Sequence, residues 1–325
     1  MKRIIKKVVS ALIPFGEILY LPLLIISGLV MWLYRRTGSK RLKLSTQILR
    51  RIGIFPIRDH YYEPLFNDAH LSKNLNESRK LPGINFNEEG QLKLLEKLNY
   101  QTEFSNFVES EKNKLDANAF KIENGSFESG DSEFLFNIIR YTKPKKIIEV
   151  GCGTSTKIIQ QALNLNESEQ SYRASHVCIE PYEQPWLAKF PNINLVRKKV
   201  ELLDMKLFEE LEDGDLLFID SSHMVRPQGD VLHEYLTIIP SLKKGVYVHV
   251  HDIFTPHDYL ESWIKEDVRF WNEQYVLEAL LTGNQNLEIV AALNLLKHKH
   301  YSELQRVCPY LTPDREPGSF YFRTQ

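Results

Sequence analysis

Apolar and polar positions along the chain fall into three regimes. From residue 8 to 34 the sequence reads VVSALIPFGEILYLPLLIISGLVMWLY, and residues 18–34 carry no charge. A helix that crosses a bilayer needs about 20 apolar residues. Residues 12–34 reach that length by including Glu17. Trp32 and Tyr34, followed by Arg35 and Arg36, form an aromatic belt with a charged stop. Residues 52–90 are aromatic and aperiodic, with a turn at Leu81-Pro82-Gly83. Leu92, Leu95, Leu98 and Phe104 then have helical spacing, which predicts a helix over 91–115.

The third regime begins at residue 131. Asp131 is placed to cap a helix through Phe134, Phe136, Ile138 and Ile139, and Pro144 stops it. Short β-branched runs predict strands at 146–150, 176–180, 193–197, 215–220, 246–253, 287–292 and 319–323. Helical spacing predicts helices at 157–163, 201–211, 229–243 and 272–282. Strands that alternate with helices imply a doubly wound, mostly parallel, seven-stranded α/β sheet of Rossmann-like form. The apolar N-terminal helix stands outside it. The expected organisation is a basic hydrophobic segment over 1–45, a linker and helical accessory region over 46–119, and an α/β domain over 120–325.

Charge sharpens the division. The net charge of −1 conceals twelve basic side chains and one acid, Glu17, in residues 1–58, a balance of +11, against −12 in the remaining 267 residues. Such asymmetry points to a membrane or nucleic-acid surface. No zinc-finger, RNP or helix-turn-helix pattern supports nucleic acid, so membrane lipid is the expected partner of residues 1–45. A cleaved signal peptide fits poorly, because Trp-Leu-Tyr-Arg-Arg replaces a small-residue cleavage site. A spanning helix, a re-entrant or in-plane helix interrupted at Pro14 and Pro22, and a buried helix of a soluble protein stay open. A hairpin satisfies the positive-inside rule for both basic clusters and leaves the α/β domain cytoplasmic. Three cysteines, Cys152, Cys178 and Cys308, form no C-x-x-C pair. That excludes a disulfide scaffold and fits a reducing compartment.

The first chemical motif is Glu149-Val150-Gly151-Cys152-Gly153-Thr154-Ser155, at the end of a predicted strand. It lacks the third glycine of the dinucleotide fingerprint and the Lys-Ser/Thr of the P-loop. Glu180 lies at the tip of the next strand, where a carboxylate can accept from both hydroxyls of a ribose. This loop, followed by Ile179-Glu180-Pro181, resembles motifs I and II of class I S-adenosylmethionine-dependent methyltransferases. Phe218-Ile219-Asp220-Ser221-Ser222-His223, Leu242-Lys243-Lys244-Gly245 and Val248-His249-Val250-His251-Asp252-Ile253 are similar to the family-24 members, relatives of catechol-type and macrolide-sugar O-methyltransferases. Residues 57–64 and Trp271-Asn272-Glu273-Gln274-Tyr275 also resemble family-typical stretches, without an assignable role.

The resemblance implies S-adenosylmethionine as cofactor, held by Glu149, Gly151, Gly153, Thr154, Ser155 and Glu180. Asn124, Phe127 and Asp131 precede the first strand, in a segment that tends to cover the cofactor. A divalent metal such as Mg²⁺ or Mn²⁺ is expected at Asp220, His251 and Asp252, where an imidazole in place of an oxygen ligand shifts preference away from Mg²⁺. It would bind a substrate hydroxyl and lower its pKa. Without metal, His223 or His251 is the candidate base, so the catalytic candidates are Asp220, His223 and His251. His249 sits a pleat repeat deeper than His251.

The expected activity is O-methylation of a small-molecule or glycan acceptor at a membrane, in keeping with polysaccharide biosynthesis. The rivals are a metal-dependent hydroxylase, an NAD-dependent oxidoreductase, and a non-catalytic scaffold in which Asp220, His251 and Asp252 do not converge. The acceptor and the oligomeric state stay open.

Overall fold

A computed structural model of the 325-residue chain describes residues 2–38, 40–57, 64–114, 119–170, 172–182 and 184–325. Residues 58–63, within the family-like stretch 57–64, lie outside the described residues, as does Leu115 at the end of the predicted helix 91–115. The chain divides into two compact units, Met1–Ser72 and Lys73–Gln325.

In the first unit, helix α1 (Lys2–Thr37) runs without interruption through Pro14 and Pro22. Of the open readings, a hairpin broken at the prolines is therefore not formed. Its Gly16–Thr37 part is 22 residues long with none of its window buried, which at the helical rise is about 33 Å, enough to cross a hydrocarbon core. The Arg36 guanidinium lies over the Trp32 ring at 5.0 Å. Helix α2 (Lys43–Ile52) follows, tied to α1 by Tyr34 Oη and Thr46 Oγ1 at 2.7 Å. Leu44, Ile48 and Ile52 recur every fourth residue and are all exposed, so the second helix also carries an unburied apolar stripe.

The second unit is built on a seven-stranded sheet of order β3-β2-β1-β4-β5-β7-β6. The strands are β1 (Lys146–Val150), β2 (Ser175–Ile179), β3 (Asn194–Val196), β4 (Leu216–Ile219), β5 (Tyr247–Val250), β6 (Leu287–Ala292) and β7 (Phe320–Thr324). Pairings are parallel from β3 to β5, and β7 is antiparallel to both β5 and β6. The central strands bury both faces, as their continuous apolar runs require. On one face, α3 (Glu88–Lys97), α4 (Gln101–Lys112), α5 (Asp131–Thr142) and α6 (Thr154–Glu169) contribute Leu95, Phe104, Phe136 and Ile159 to a shared core. The α12 (Leu293–Lys299) and α13 (Tyr301–Val307) helices complete that layer through Leu296 and Leu304. The opposite core takes Phe208 from α7 (Lys206–Glu209), Val231 from α8 (Asp230–His233) and Leu277 from α11 (Glu273–Leu281).

Several elements differ from their sequence reading. The helix expected over 91–115 is two helices, because Leu98-Asn99-Tyr100 turns and Leu98 drops into the core. Residues 73–114, read as accessory, add apolar side chains such as Ile84, Leu95, Phe104 and Val108 to the α/β core. Helix 201–211 shrinks to α7 after a 3-10 turn at Val200–Leu202. Helix 229–243 is α8, a π turn at Glu234–Ile238, and α9 (Ile239–Ser241). Pro240 has no N–H for the Leu236 carbonyl, which favours a change of helical register there. The strand expected over 246–253 ends at Val250, and His251-Asp252-Ile253 is loop.

Candidate active site

The strand order reverses between β1 and β4, and a cleft opens at the carboxyl ends of β1, β2 and β4, as open α/β sheets require. From Val150 the chain turns through Gly151-Cys152-Gly153 into α6. Gly151 has φ +78°, and a Cβ on it would meet the Asp220 carbonyl oxygen at 1.8 Å. Glycine is demanded there by backbone conformation and by close approach of the β4 tip. The Gly153 N–H donates to Thr156 Oγ1 at 3.1 Å and closes the first turn of α6. The cleft holds about 610 Å³, within the size range of small-molecule sites. Gly151, Gly153, Thr154, Ser155, Glu180 and Asp220 line it, with Phe127 and Trp186.

The Glu180 carboxylate is anchored before any ligand arrives. Its Oε2 accepts from the Cys152 N–H at 3.3 Å, and Oε1 accepts from the Tyr182 N–H at 2.9 Å. Glu149, expected in the cofactor site, is instead fully buried beneath the loop. It accepts from Ser155 Oγ at 2.6 Å and Thr156 Oγ1 at 2.9 Å, and lies 3.0 Å from His176 Nε2. A strand residue four-fifths of the way along β1 points into the sheet layer, not out of its end, so Glu149 supports the loop from below.

Burial by itself disfavours the His176 imidazolium, but the Cys178 sulfur and the Glu149 carboxylate outweigh it and hold the ring up to about 9. A pKa raised on folding contributes stability that is complete below about 6.5, and that is lost as pH rises toward the folded value. Melting curves of the wild type and His176→Gln are therefore expected to differ most at acid pH and to converge above about pH 9. A difference independent of pH would show that the ring contributes by packing alone.

The acidic strand tips converge at the other end of the cleft. His223 Nε2 lies 3.3 Å from Asp220 Oδ1 and 3.5 Å from Asp252 Oδ2. One donor atom from each of the three falls within 4.8 Å of the others. Neighbouring ligands of an octahedral divalent ion, each about 2.1 Å from it, stand about 3 Å apart, so one imidazole and two carboxylates fit such an ion. His223 and Asp252 both adopt left-handed backbone, at φ +58° and +57°, a conformation that costs about 1–3 kcal/mol in non-glycine residues and collects at functional sites. Three carboxylates, Asp220, Asp252 and Glu273, face this one ring. Burial alone would lower its proton affinity, and the carboxylates raise it well above the ordinary range.

The expected ligand set is thus changed at one position. His251 is not in the cluster, because its ring turns under Phe127, with centroids 4.7 Å apart. Its Nε2 still reaches Asp252 Oδ1 at 3.4 Å. It lines a second cavity of about 460 Å³ with Asp131, Asp252 and Trp263, and Ser126 borders both cavities. Asp220 therefore belongs to the first cavity and Asp252 to the second. Asp131 is also corrected. It does not line the first cavity; its oxygens accept from the Gly318 and Ser319 N–H groups at 3.3 and 2.7 Å, just before β7. Gly130 caps α5, with the Glu133 side chain reaching back to its N–H. Asn124 organises its own turn by accepting from the Ser126 and Phe127 N–H groups. His249 is buried against Phe218 at 4.1 Å and bonds Ser319 Oγ.

Residues 148–253 match the model of a methyltransferase domain family, family 24. This stretch carries the sequence signature of a family-24 methyltransferase domain. An uncharacterized protein of Archaeoglobus fulgidus is 29% identical over 176 residues, which cover 51% of this chain and 77% of that one. Among solved structures, an O-methyltransferase from Bacillus cereus in complex with SAH aligns at TM-score 0.38 and 12% identity, over 72% of this chain and 91% of that one. The plantazolicin methyltransferase BpumL, in complex with a triazolic desmethylPZN analog and SAH, aligns at TM-score 0.35 and 11% identity, over 73% and 98%.

Parts of the candidate site were not singled out in the sequence. Asp230 fixes the loop after β4 by accepting from the Ser222 N–H and hydroxyl, at 3.0 and 2.6 Å. Trp186 and Trp263 give each cavity an aromatic wall. Only the Trp271–Tyr275 stretch carried a sequence signal, its family-like composition.

Proposed function

We propose that this methyltransferase moves the sulfonium methyl of S-adenosylmethionine to a hydroxyl of a sugar or glycolipid-linked acceptor at a membrane surface. The observation that carries the reading is the meeting of Asp220, His223 and Asp252 between two cavities. One cavity suits a nucleoside, and the other offers polar groups and Trp263 for a hydroxyl-rich ring. Convergence of the strand-tip acids also argues against an inert scaffold. Glu180 would accept from the ribose hydroxyls, and the backbone of Gly151–Gly153 would approach the donor closely.

Asp220, His223 and Asp252 would hold a divalent cation such as Mn²⁺ or Mg²⁺. Such an ion, when bound, acidifies a coordinated hydroxyl. His251, at the second cavity, would take the acceptor's proton at Nε2, leaving the oxygen free for in-line attack on the methyl. Asp252, 3.4 Å away, would steady the resulting imidazolium. The exposed apolar part of α1 and the basic residues that flank it support membrane attachment.

Calorimetry with S-adenosylhomocysteine tests the cofactor reading. Glu180→Ala is expected to weaken binding about 10- to 100-fold, as for loss of charge-assisted hydrogen bonds of about 1.5–3 kcal/mol. No binding to the wild type at millimolar ligand would sink the proposal. The acceptor is sought with methyl-labelled cofactor against membrane and polysaccharide extracts, and label in a protein fraction alone would overturn the sugar assignment.

A further inference from the structure

The stretch Trp271-Asn272-Glu273 encloses a single residue, His223, fifty positions earlier in the chain. Glu273 Oε2 lies 2.8 Å from His223 Nδ1, and Glu273 is fully buried. The backbone N–H groups of Asn272 and Glu273 both donate to the His223 carbonyl, at 3.1 and 3.2 Å. Asn272 Oδ1 accepts from the Val225 N–H at 2.7 Å, which holds the chain just past His223. The Trp271 ring lies 4.3 Å from the imidazole, tilted by 36°. Backbone, ring face and Nδ1 of one residue are thus each held by the same three-residue segment. Behind it stands α11, rooted in the core by Leu277 and Leu281.

We propose that Glu273, with Trp271 and Asn272, is the positioning element of the site: it fixes the His223 ring so that Nδ1–H points at the Glu273 carboxylate and Nε2 faces the gap between Asp220 and Asp252. Two features separate this from ordinary packing. His223 is held in left-handed backbone, which a non-glycine residue keeps only when its surroundings over-determine it. A buried carboxylate aimed at the far nitrogen of a ligand histidine is also the arrangement that sets tautomer and ring orientation in metal sites. Without the carboxylate, the ring is free to flip, which takes Nε2 out of the gap.

The metal part of this inference rests on the proposed function, and the positioning part does not, so two readouts on the full chain in nanodiscs keep them apart. The first is Mn²⁺ affinity by calorimetry. Glu273→Ala is expected to raise the Kd about 10- to 100-fold, and Glu273→Gln, which keeps an acceptor oxygen, by less. Affinity for S-adenosylhomocysteine should not change in either variant, whereas a merely structural role would weaken both ligands together. The second is ¹⁵N NMR of histidine-labelled protein, in which the His223 Nδ1–H signature should be present in the wild type and in Glu273→Gln, and lost in Glu273→Ala. An unchanged Mn²⁺ Kd in Glu273→Ala overturns the inference. If the wild type binds no Mn²⁺, the metal reading fails, and the NMR result alone decides: a signature that persists in Glu273→Ala overturns the positioning role. Should Glu273→Ala not fold, the isosteric Glu273→Gln variant is read by calorimetry, and an unchanged Kd there overturns the inference.

Discussion

Replacing Gly151 with alanine is expected to destabilise the α/β unit and to abolish cofactor binding together. The new Cβ would lie 1.8 Å from the Asp220 carbonyl oxygen, at a residue whose φ is +78°. Left-handed backbone costs an L-residue about 1–2 kcal/mol. Relieving a clash against backbone adds about 1–3 kcal/mol, because no flexible side-chain end is available to move. The total, on the order of 3 kcal/mol, corresponds to a fall of roughly 6–12 °C in melting temperature for a body of this size. The clash has a direction as well as a cost. It pushes the β1 loop away from the tip of β4, and so separates the cofactor turn from Asp220. Differential scanning calorimetry and S-adenosylhomocysteine titration check both parts. A Gly151→Ala protein that melts normally and binds normally would show that the close approach of the two strand tips is not needed.

Asp220→Ala is expected to lower kcat/KM for methyl transfer about 10³-fold, or roughly 4 kcal/mol of transition-state stabilisation. Asp220 is the one carboxylate of the cluster that also lines the first cavity, so in the proposed reading it would stand between donor and acceptor. Its loss leaves His223 facing Asp252 alone across the gap. Cofactor affinity is expected to change by less than about tenfold, since Glu180 and the glycine turn are untouched. A large fall in turnover with little change in binding is the mark of a group used in the transition state. Initial rates of label transfer to the identified acceptor, beside calorimetry with S-adenosylhomocysteine, make the comparison. An equal loss in both would reduce Asp220 to a cofactor ligand.

How much of this site could be read in advance varies with the range of the forces involved. The glycine turn was legible because a strand ending in Gly-x-Gly before a helix constrains its own backbone, whatever the rest of the fold does. Glu180 was legible for a related reason: it follows β2 directly, and strand ends of a parallel sheet line up at one edge. Glu149 misled, because its place in the motif gives proximity to the cofactor turn but not the side of the turn it faces. His251 misled in a similar way. The family resemblance puts it in the ligand set with Asp252, but the strand stops at Val250, and two residues in left-handed conformation, His223 and Asp252, re-aim the chain beyond the strand tips. No periodicity argument anticipates such residues.

The N-terminal segment illustrates the opposite case. Prolines at 14 and 22 suggested a break, yet α1 continues through both: each proline removes one backbone hydrogen bond and leaves the ladder on either side of it in place. Length, apolarity and flanking charge were correctly visible, since they are properties of composition and need no partner.

By itself, the sequence determined the alternation of strands and helices, the glycine turn, the acidic strand tips and the separation of a basic, apolar N-terminus from an acidic α/β body. These follow from short-range rules: side-chain period, glycine's conformational freedom and the distribution of charge. Only the tertiary structure decided which histidine joins Asp220 and Asp252, that Glu149 works beneath the loop, and that Glu273 reaches back fifty residues to hold His223. Those contacts depend on how the start of α11 packs beside the loop after β4, and a side chain's partner across such a distance is set by the packing of whole layers, not by its neighbours in sequence.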